Sequence, residues 1–143
     1  MRAGKVGIPA GVFSNSSLSD RVEARYRGDV SKELLIKSLI SAQDFFNGVH
    51  FSQEDAGMSL KGWINHLEAS GETNNIDSLI NNQFGLIHLQ LENLNSDLGQ
   101  QVEADNIKML ETYDFLQKNV IFMKVDMLQL LDITVDYVDA DGD

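Results

Sequence analysis

The sequence predicts an all-α protein: an up-and-down, bundle-like unit of four helices with an irregular N-terminal arm and a short extended C-terminal tail. Apolar residues recur at alternating steps of three and four along two long stretches, 76–98 and 106–131. The single proline, Pro9, lies near the start and leaves the remainder free to be helical. We therefore expect the two stretches to form a helical hairpin along which the rest of the chain packs.

Residues 1–30 are predicted to form an irregular arm or linker, and residues 31–143 the helical domain. Four residues that interrupt regular structure lie close together, and the serine-rich run 14–17 favours turns. A structureless arm of this length is uncommon in a compact domain. It either folds back over the bundle or leads from a part of the protein outside this sequence. The four interrupting residues are Gly4, Gly7, Pro9 and Gly11.

Ser31 is a plausible N-cap for a first helix over 32–47, and Gly48 is predicted to end it. Its apolar stripe comprises Leu35, Leu39, Ala42 and Phe46, widened by Leu34, Ile40 and Phe45. A short second helix is predicted over 59–70, ended by Gly71, with one apolar face. That face comprises Leu60, Trp63, Ile64 and Leu67.

The third predicted helix covers 76–98, with Asn74 or Asn75 as its N-cap and Gly99 at its end. The fourth covers 106–131. Beyond it, residues 133–138 alternate in the manner of a strand. The third helix has the apolar stripe Ile80, Phe84, Ile87, Leu91, Leu94 and Leu98. The fourth has Met109, Tyr113, Leu116, Val120, Met123, Met127 and Leu130.

Composition excludes several classes of function. The chain has 143 residues, a length that suits one domain, and a net charge of −11 that disfavours nucleic acids and anionic membrane faces. The charge is uneven: residues 1–37 carry seven basic and four acidic side chains, the rest four and eighteen. The absence of cysteine excludes disulfides and thiolate metal sites. No apolar run approaches the ~20 residues of a membrane span, and the first residues predict no signal peptide.

Two sets of side chains are candidate metal ligands. His88 and Glu92 are four residues apart on the third predicted helix, close enough to share a metal. The alternative is that His88 packs its ring beside the apolar stripe and forms one hydrogen bond. In the tail, Asp139, Asp141 and Asp143 resemble the beginning of a calcium-binding loop, without the glutamate that would complete it. The alternative for these three is a solvated acidic tail.

Five segments, taken in order, resemble the C-terminal half of the imelysin-like family of iron-regulated bacterial surface and periplasmic lipoproteins, once classed as peptidases. The likeness spans nearly the whole chain and depends on the order and spacing of the segments. They are Lys5-Val6-Gly7-Ile8-Pro9-Ala10-Gly11; Val22-Glu23-Ala24-Arg25-Tyr26, ahead of Ser31; Phe46-Asn47-Gly48; Gly57-Met58-Ser59-Leu60; and Lys124-Val125-Asp126-Met127, which runs through Leu131 into Asp141-Gly142-Asp143.

The resemblance implies a protein of two related helical halves, of which this chain would be the second. The family's Gly-x-His-x-x-Glu signature, which is thought to contribute a metal site, belongs to the first half and is absent here. It implies iron or another divalent metal in the full-length protein and none bound tightly to this chain. Glu23 is the acidic residue carried over from a family motif, expected with Arg25 in the groove between the halves. The alternative is a charge pair that orders the arm.

Three functions follow as hypotheses. The first is a non-catalytic half of an imelysin-like envelope protein, which serves iron-linked uptake or sensing through a groove shared with the other half. The second is a fragment of a metallopeptidase, and the third is a structural helical interaction module. The expected partner is the missing half or a second copy. The expected location is the periplasm or outer surface of a bacterium, with membrane attachment only through a lipid anchor outside this chain.

Overall fold

The computed structural model describes residues 1–52, 56–68 and 75–134, and they form an all-α, bundle-like fold, as the sequence predicts. The helix Asn106–Ile121 continues through a π-helical turn, Phe122–Asp126, into the short helix Met127–Leu130. Among the described residues, the only bridge of strand type joins Val49 and Ala56. The helices are α1 (Ser31–Asn47), α2 (Leu60–Glu68), α3 (Ile76–Glu92), α4 (Leu98–Ala104), α5 (Asn106–Ile121) and α6 (Met127–Leu130).

The predicted hairpin is confirmed, because α3 packs along α5 and the stripes of both helices face the core. Phe84 and Leu91 of α3 are buried, as are Met109 and Leu116 of α5. The side-chain amide of Gln83 donates a 2.8 Å hydrogen bond to the carbonyl oxygen of Phe115, which adds a polar contact between the helices. None of the helices within the described ranges has the length and hydropathy that a bilayer span requires.

The prediction that one helix covers 76–98 is wrong, since α3 ends at Glu92 and a turn over 93–97 precedes the separate helix α4. The turn ends at Asp97, whose carboxylate is the N-cap of α4. It accepts hydrogen bonds from the backbone N–H groups of Gly99 at 2.8 Å and Gln100 at 3.2 Å. An aspartate that caps a new helix stabilises a break here, although the apolar spacing continues through it.

Leu94 and Leu98 are nevertheless buried, as their place in the predicted stripe requires. They reach the core from the turn and from α4 rather than from α3. The ammonium group of Lys32 donates to the carbonyl oxygens of Glu92 at 3.1 Å and Leu94 at 2.7 Å. A cation at the negative end of α3 satisfies carbonyls that the broken helix leaves without partners.

Ser31 does not cap α1, because it is the first residue of the helix and Val30 is the N-cap. Its buried hydroxyl instead joins α1 to α4. The oxygen donates to the carbonyl of Gly28 at 2.7 Å and accepts from the backbone N–H of Leu98 at 2.9 Å. At the other end of α1, Gly48 adopts the left-handed conformation, with φ +73°, and ends the helix as predicted.

We expect Ser31→Ala to lower the free energy of unfolding by about 1–3 kcal/mol, because it leaves the buried N–H of Leu98 without an acceptor. Urea denaturation followed by circular dichroism measures this change. Ser41→Ala is the matched control, since the exposed Ser41 bonds only to the carbonyl of Lys37 within its own helix. Equal stabilities of the two variants would contradict a structural role for the Ser31 hydroxyl.

The N-terminal residues fold back over the bundle and contain helical turns, where the sequence predicts an irregular arm. A π-helical turn, Arg2–Gly7, leads into one α-helical turn, Ile8–Ala10, and both pack on α5. Val6 and Ala10 enter the core. Gly7 allows this close approach, because a Cβ atom there would lie only 2.9 Å from the ring of Tyr113.

The second and fourth predicted helices are helical over most of their expected lengths. Ser59 caps α2, its hydroxyl accepting from the N–H of Gly62 at 2.9 Å, and the predicted end of this helix lies outside the described residues. The run that starts with α5 remains helical to Leu130, one residue short of the predicted end. Ile133 and Thr134 form no strand, and residues 135–138 of the predicted extended tail lie outside the described part.

Candidate functional site

Large apolar side chains are exposed together at the end of the bundle where α1 ends and α2 begins. Phe45 is 72% exposed and Trp63 is 65% exposed, although the sequence places Trp63 on the buried face of its helix. We call this surface the Trp63 face. It surrounds a groove of about 580 Å³. Its residues are Phe45, Met58, Ser59, Leu60, Trp63, Leu131 and Ile133.

The turn between α1 and α2 builds this face. The left-handed Gly48 turns the chain back, and its carbonyl oxygen accepts a 2.8 Å hydrogen bond from the backbone N–H of Gly57. Ser59 then starts α2 in a fixed position, with its hydroxyl bonded to the N–H of Gly62. As a result Ile64 is buried, and the adjacent Trp63 is directed to the surface.

The chemistry of the Trp63 face suits binding to another protein surface. Its lining contains aromatic, aliphatic and thioether side chains and one hydroxyl, and no charged residue among those described. Exposed apolar patches of this kind mark interaction sites, and tryptophan is enriched among residues that dominate binding energy. A second, connected groove of about 460 Å³ continues past Gly62 and His66.

Glu23 and Arg25, the residues expected at a groove between two halves, contact different partners within the N-terminal arm. The Lys5 ammonium donates to the carboxylate of Glu23, and this pair links two segments of the arm. Arg25 lies over the ring of Tyr26, 5.6 Å from its centroid, and 3.8 Å from the carboxylate of Asp20. Neither residue lines the Trp63 face.

Close to Arg25, a second arginine forms a forked pair with an aspartate. The guanidinium of Arg27 donates to both carboxylate oxygens of Asp29, at 3.0 and 3.1 Å. This hydrogen bonding lowers the pKa of Asp29 and raises the pKa of Arg27. Both groups are fully solvated, so the pair orders the loop without a large contribution to stability. Tyr26, which lies between Arg25 and Arg27 in the sequence, is almost fully exposed.

Of the candidate metal ligands, only His88 and Glu92 lie in the described part of the chain. His88 is half-buried, with Nε2 3.3 Å from the amide oxygen of Gln43, and Glu92 is exposed at the end of α3. Within residues 1–52, 56–68 and 75–134, no three His, Asp or Glu side chains lie close enough to hold a metal ion. The predicted ligands Asp139, Asp141 and Asp143 lie outside this part of the chain.

Sequence reasoning missed the Trp63 face because Trp63 and Ile64 both belong to the predicted apolar face of α2. The spacing alone does not show which of the two is buried. The available signal was Met58, an apolar residue in a glycine-containing loop with no helical stripe to join.

Comparison of the chain with protein-family models, with curated proteins and with solved structures gives no significant match. The arguments for function therefore come from the residues and their geometry.

Proposed function

We propose that this chain is the non-catalytic second half of an imelysin-like envelope protein, and that the Trp63 face docks the first helical half. Together the two halves would serve iron-linked uptake or sensing in the periplasm or on the outer surface of a bacterium. Attachment to the membrane would come from a lipid anchor outside this chain. The observation that carries the proposal is an exposed, uncharged groove between α1, α2 and the end of the bundle.

Contacts between the segments that carry the family resemblance support this assignment. Lys5 of the first segment pairs with Glu23 of the second. Gly48 of the third segment accepts a hydrogen bond from Gly57 of the fourth. The last segment reaches the Trp63 face through Leu131. Segments that contact one another in the fold are expected to keep their order along the chain within a family. The resemblance depends on this order of segments.

The charge of the chain favours a different partner over a second copy. The protein carries a net charge of −11, so a dimer of two copies would carry −22 in total. Repulsion between like charges opposes such a dimer, although the Trp63 face itself is uncharged. A first half with an apolar surface and fewer acidic groups would bury the same side chains without that repulsion.

The proposal assigns the metal to the partner half. The described residues of this chain contain no group of three ligands, and the Gly-x-His-x-x-Glu signature is absent from the sequence. The first half would then supply the principal iron ligands, and this half would close the groove over them. Peptidase activity of the assembled protein is the competing function, and the experiment below distinguishes the two.

The experiment mixes the purified chain with a separately purified imelysin-like first half that contains Gly-x-His-x-x-Glu. Because Trp63 is the single tryptophan of this chain, a partner half made without tryptophan allows its emission to report docking directly. For the parent chain we expect a blue shift that saturates. For Trp63→Ser, which has no tryptophan, isothermal titration calorimetry is expected to show at least a tenfold weaker association. Ile107→Ser is the matched control, since Ile107 is equally exposed but lies at the opposite end of the α5 run.

Iron titration and a cleavage assay complete the test. We expect iron to bind the mixture and not this chain alone, and denatured casein to remain intact. Equal loss of association for Trp63→Ser and Ile107→Ser, or no association at all, would overturn the docking role. Chelator-sensitive cleavage by the mixture would instead favour the metallopeptidase.

A further inference from the structure

A separate cavity of about 400 Å³ lies between the N-terminal turn and the helical run that contains α5. This volume is within the range of small-molecule binding sites. Two π-helical turns frame it, Arg2–Gly7 and Phe122–Asp126, and such turns occur frequently at functional sites. The apolar part of its lining includes Ile8, Ala42, Phe84, Leu116, Val120 and Met123.

Two buried polar atoms of residues that line this cavity have no hydrogen-bond partner. One is Nε of Arg2, and the other is Oδ1 of Asn119, a residue that is 95% buried on α5. The remainder of the Arg2 guanidinium is fixed, because Nη1 donates to the side chain of Gln117 and the group lies 5.6 Å from the ring centroid of Tyr113. Buried polar groups are almost always satisfied in native proteins. These two atoms would be completed by an acceptor at Arg2 Nε and a donor at Asn119 Oδ1.

The charged side chains that line the cavity favour binding of an anion. Arg2 and Lys124 both line it, and no aspartate or glutamate does. This is unusual in a chain that carries twice as many acidic as basic residues. The Asn119 amide can rotate so that its NH₂ group replaces the unpaired oxygen and serves as a donor. Guanidinium, ammonium and amide donors beside apolar walls fit a carboxylate at the end of a hydrocarbon body.

We propose that this cavity binds a small apolar monocarboxylate, such as a medium-chain fatty acid. Its carboxylate accepts hydrogen bonds from Arg2 Nε and Asn119 and pairs with Lys124, while its hydrocarbon chain contacts Phe84 and Met123. The site is independent of the Trp63 face, since the two share no lining residue. It also gives a role to Lys124, which begins the last segment of the family resemblance.

Decanoate is the probe, with decan-1-ol and decyltrimethylammonium as matched ligands that differ in charge. Isothermal titration of the full chain is expected to show saturable binding of decanoate, at least tenfold weaker binding of the alcohol, and none of the cation. Lys124→Gln and Arg2→Gln should each weaken decanoate binding at least fivefold. Lys108→Gln is the control, because Lys108 is a lysine of α5 that does not line the cavity.

A cavity-filling variant tests the location without removing a charge. Ala42→Leu extends a half-buried side chain of α1 into the cavity and should abolish decanoate binding while circular dichroism remains that of a folded helical protein. Trp63 emission should stay unchanged when decanoate binds, because Trp63 is not part of this site. Three results would each overturn the proposal: no binding at millimolar decanoate, equal affinity for the alcohol, or binding that shifts Trp63 emission and survives in Ala42→Leu.

Discussion

Phe46→Ala is expected to lower the free energy of unfolding by about 3–5 kcal/mol, a large fraction of the roughly 5–15 kcal/mol that stabilises a typical domain. The Phe46 side chain is 0% exposed and packs against Phe84, with ring centroids 6.4 Å apart and an interplanar angle of 44°. Truncation removes this aromatic contact and leaves a cavity between α1 and α3 that the surrounding helices fill only partly. Urea denaturation monitored at 222 nm measures the loss.

Phe45→Ala provides a control at the adjacent residue. Phe45 has the same chemistry and the same helix but is largely exposed, so its truncation should change the free energy of unfolding by less than about 0.5 kcal/mol. Its effect should appear in the docking assay, because Phe45 belongs to the Trp63 face. If the two alanine variants lost similar stability, the placement of Phe46 on the buried side of α1 and of Phe45 on its exposed side would be incorrect.

Gly48→Ala is expected to destabilise the protein by about 2–4 kcal/mol, through backbone strain and crowding together. At φ +73° an L-residue with a Cβ atom is strained in the left-handed region. A Cβ atom there would also lie 2.6 Å from Cβ of Ser59 and 2.8 Å from the carbonyl oxygen of Gly57. Relief requires α2 to move away from the end of α1, so the Trp63 face should change shape as well. Chemical denaturation and the emission maximum of Trp63 measure both effects.

Gly85→Ala should have the opposite sign. Gly85 lies inside α3 with helical geometry, and a Cβ atom there would meet nothing within 4 Å. Alanine in an exposed helix interior is favoured over glycine by about 0.5–1 kcal/mol, so this variant is expected to be more stable than the parent chain. Equal destabilisation by both substitutions would show that the turn at Gly48 has no special requirement.

The parts of the fold that the sequence predicted were those with long periodicity and local chemistry. The stripes containing Phe84 and Leu116 predicted two long helices and their mutual packing, because helical spacing directs such residues to one side over many turns. Gly48 predicted the end of α1, because the left-handed C-terminal conformation favours glycine strongly. These signals depend on only a few neighbouring residues.

Features set by long-range contacts were not predictable in the same way. The break after Glu92 depends on Lys32 and Asp97, which satisfy helix-end groups that no periodicity reveals. Ser31 has the composition of an N-cap, yet its hydroxyl bonds to the distant Leu98. The exposure of Trp63 depends on which side of α2 meets α1 and α3, and the short helix offers too few turns to decide this.

The candidate sites likewise divide into features that local sequence predicts and features that long-range contacts determine. The cavity was not predictable, because it brings together Arg2, Ala42 and Lys124 from three separate parts of the chain. Each of the three is unremarkable beside its sequence neighbours. The Lys5–Glu23 pair, by contrast, matches the alternative in which Glu23 takes part in a charge pair that orders the arm.

The packing of the first ten residues on α5 affects how the protein is made. Asn106 donates to the carbonyl of Ala10, and Arg2 bonds to Gln117, contacts that span 96 and 115 residues of sequence. During translation the N-terminal turn leaves the ribosome before α5, and it has no surface to cover until α5 has been synthesised. This part of the fold therefore forms late, and the apolar side of the turn is available to chaperones until α5 emerges.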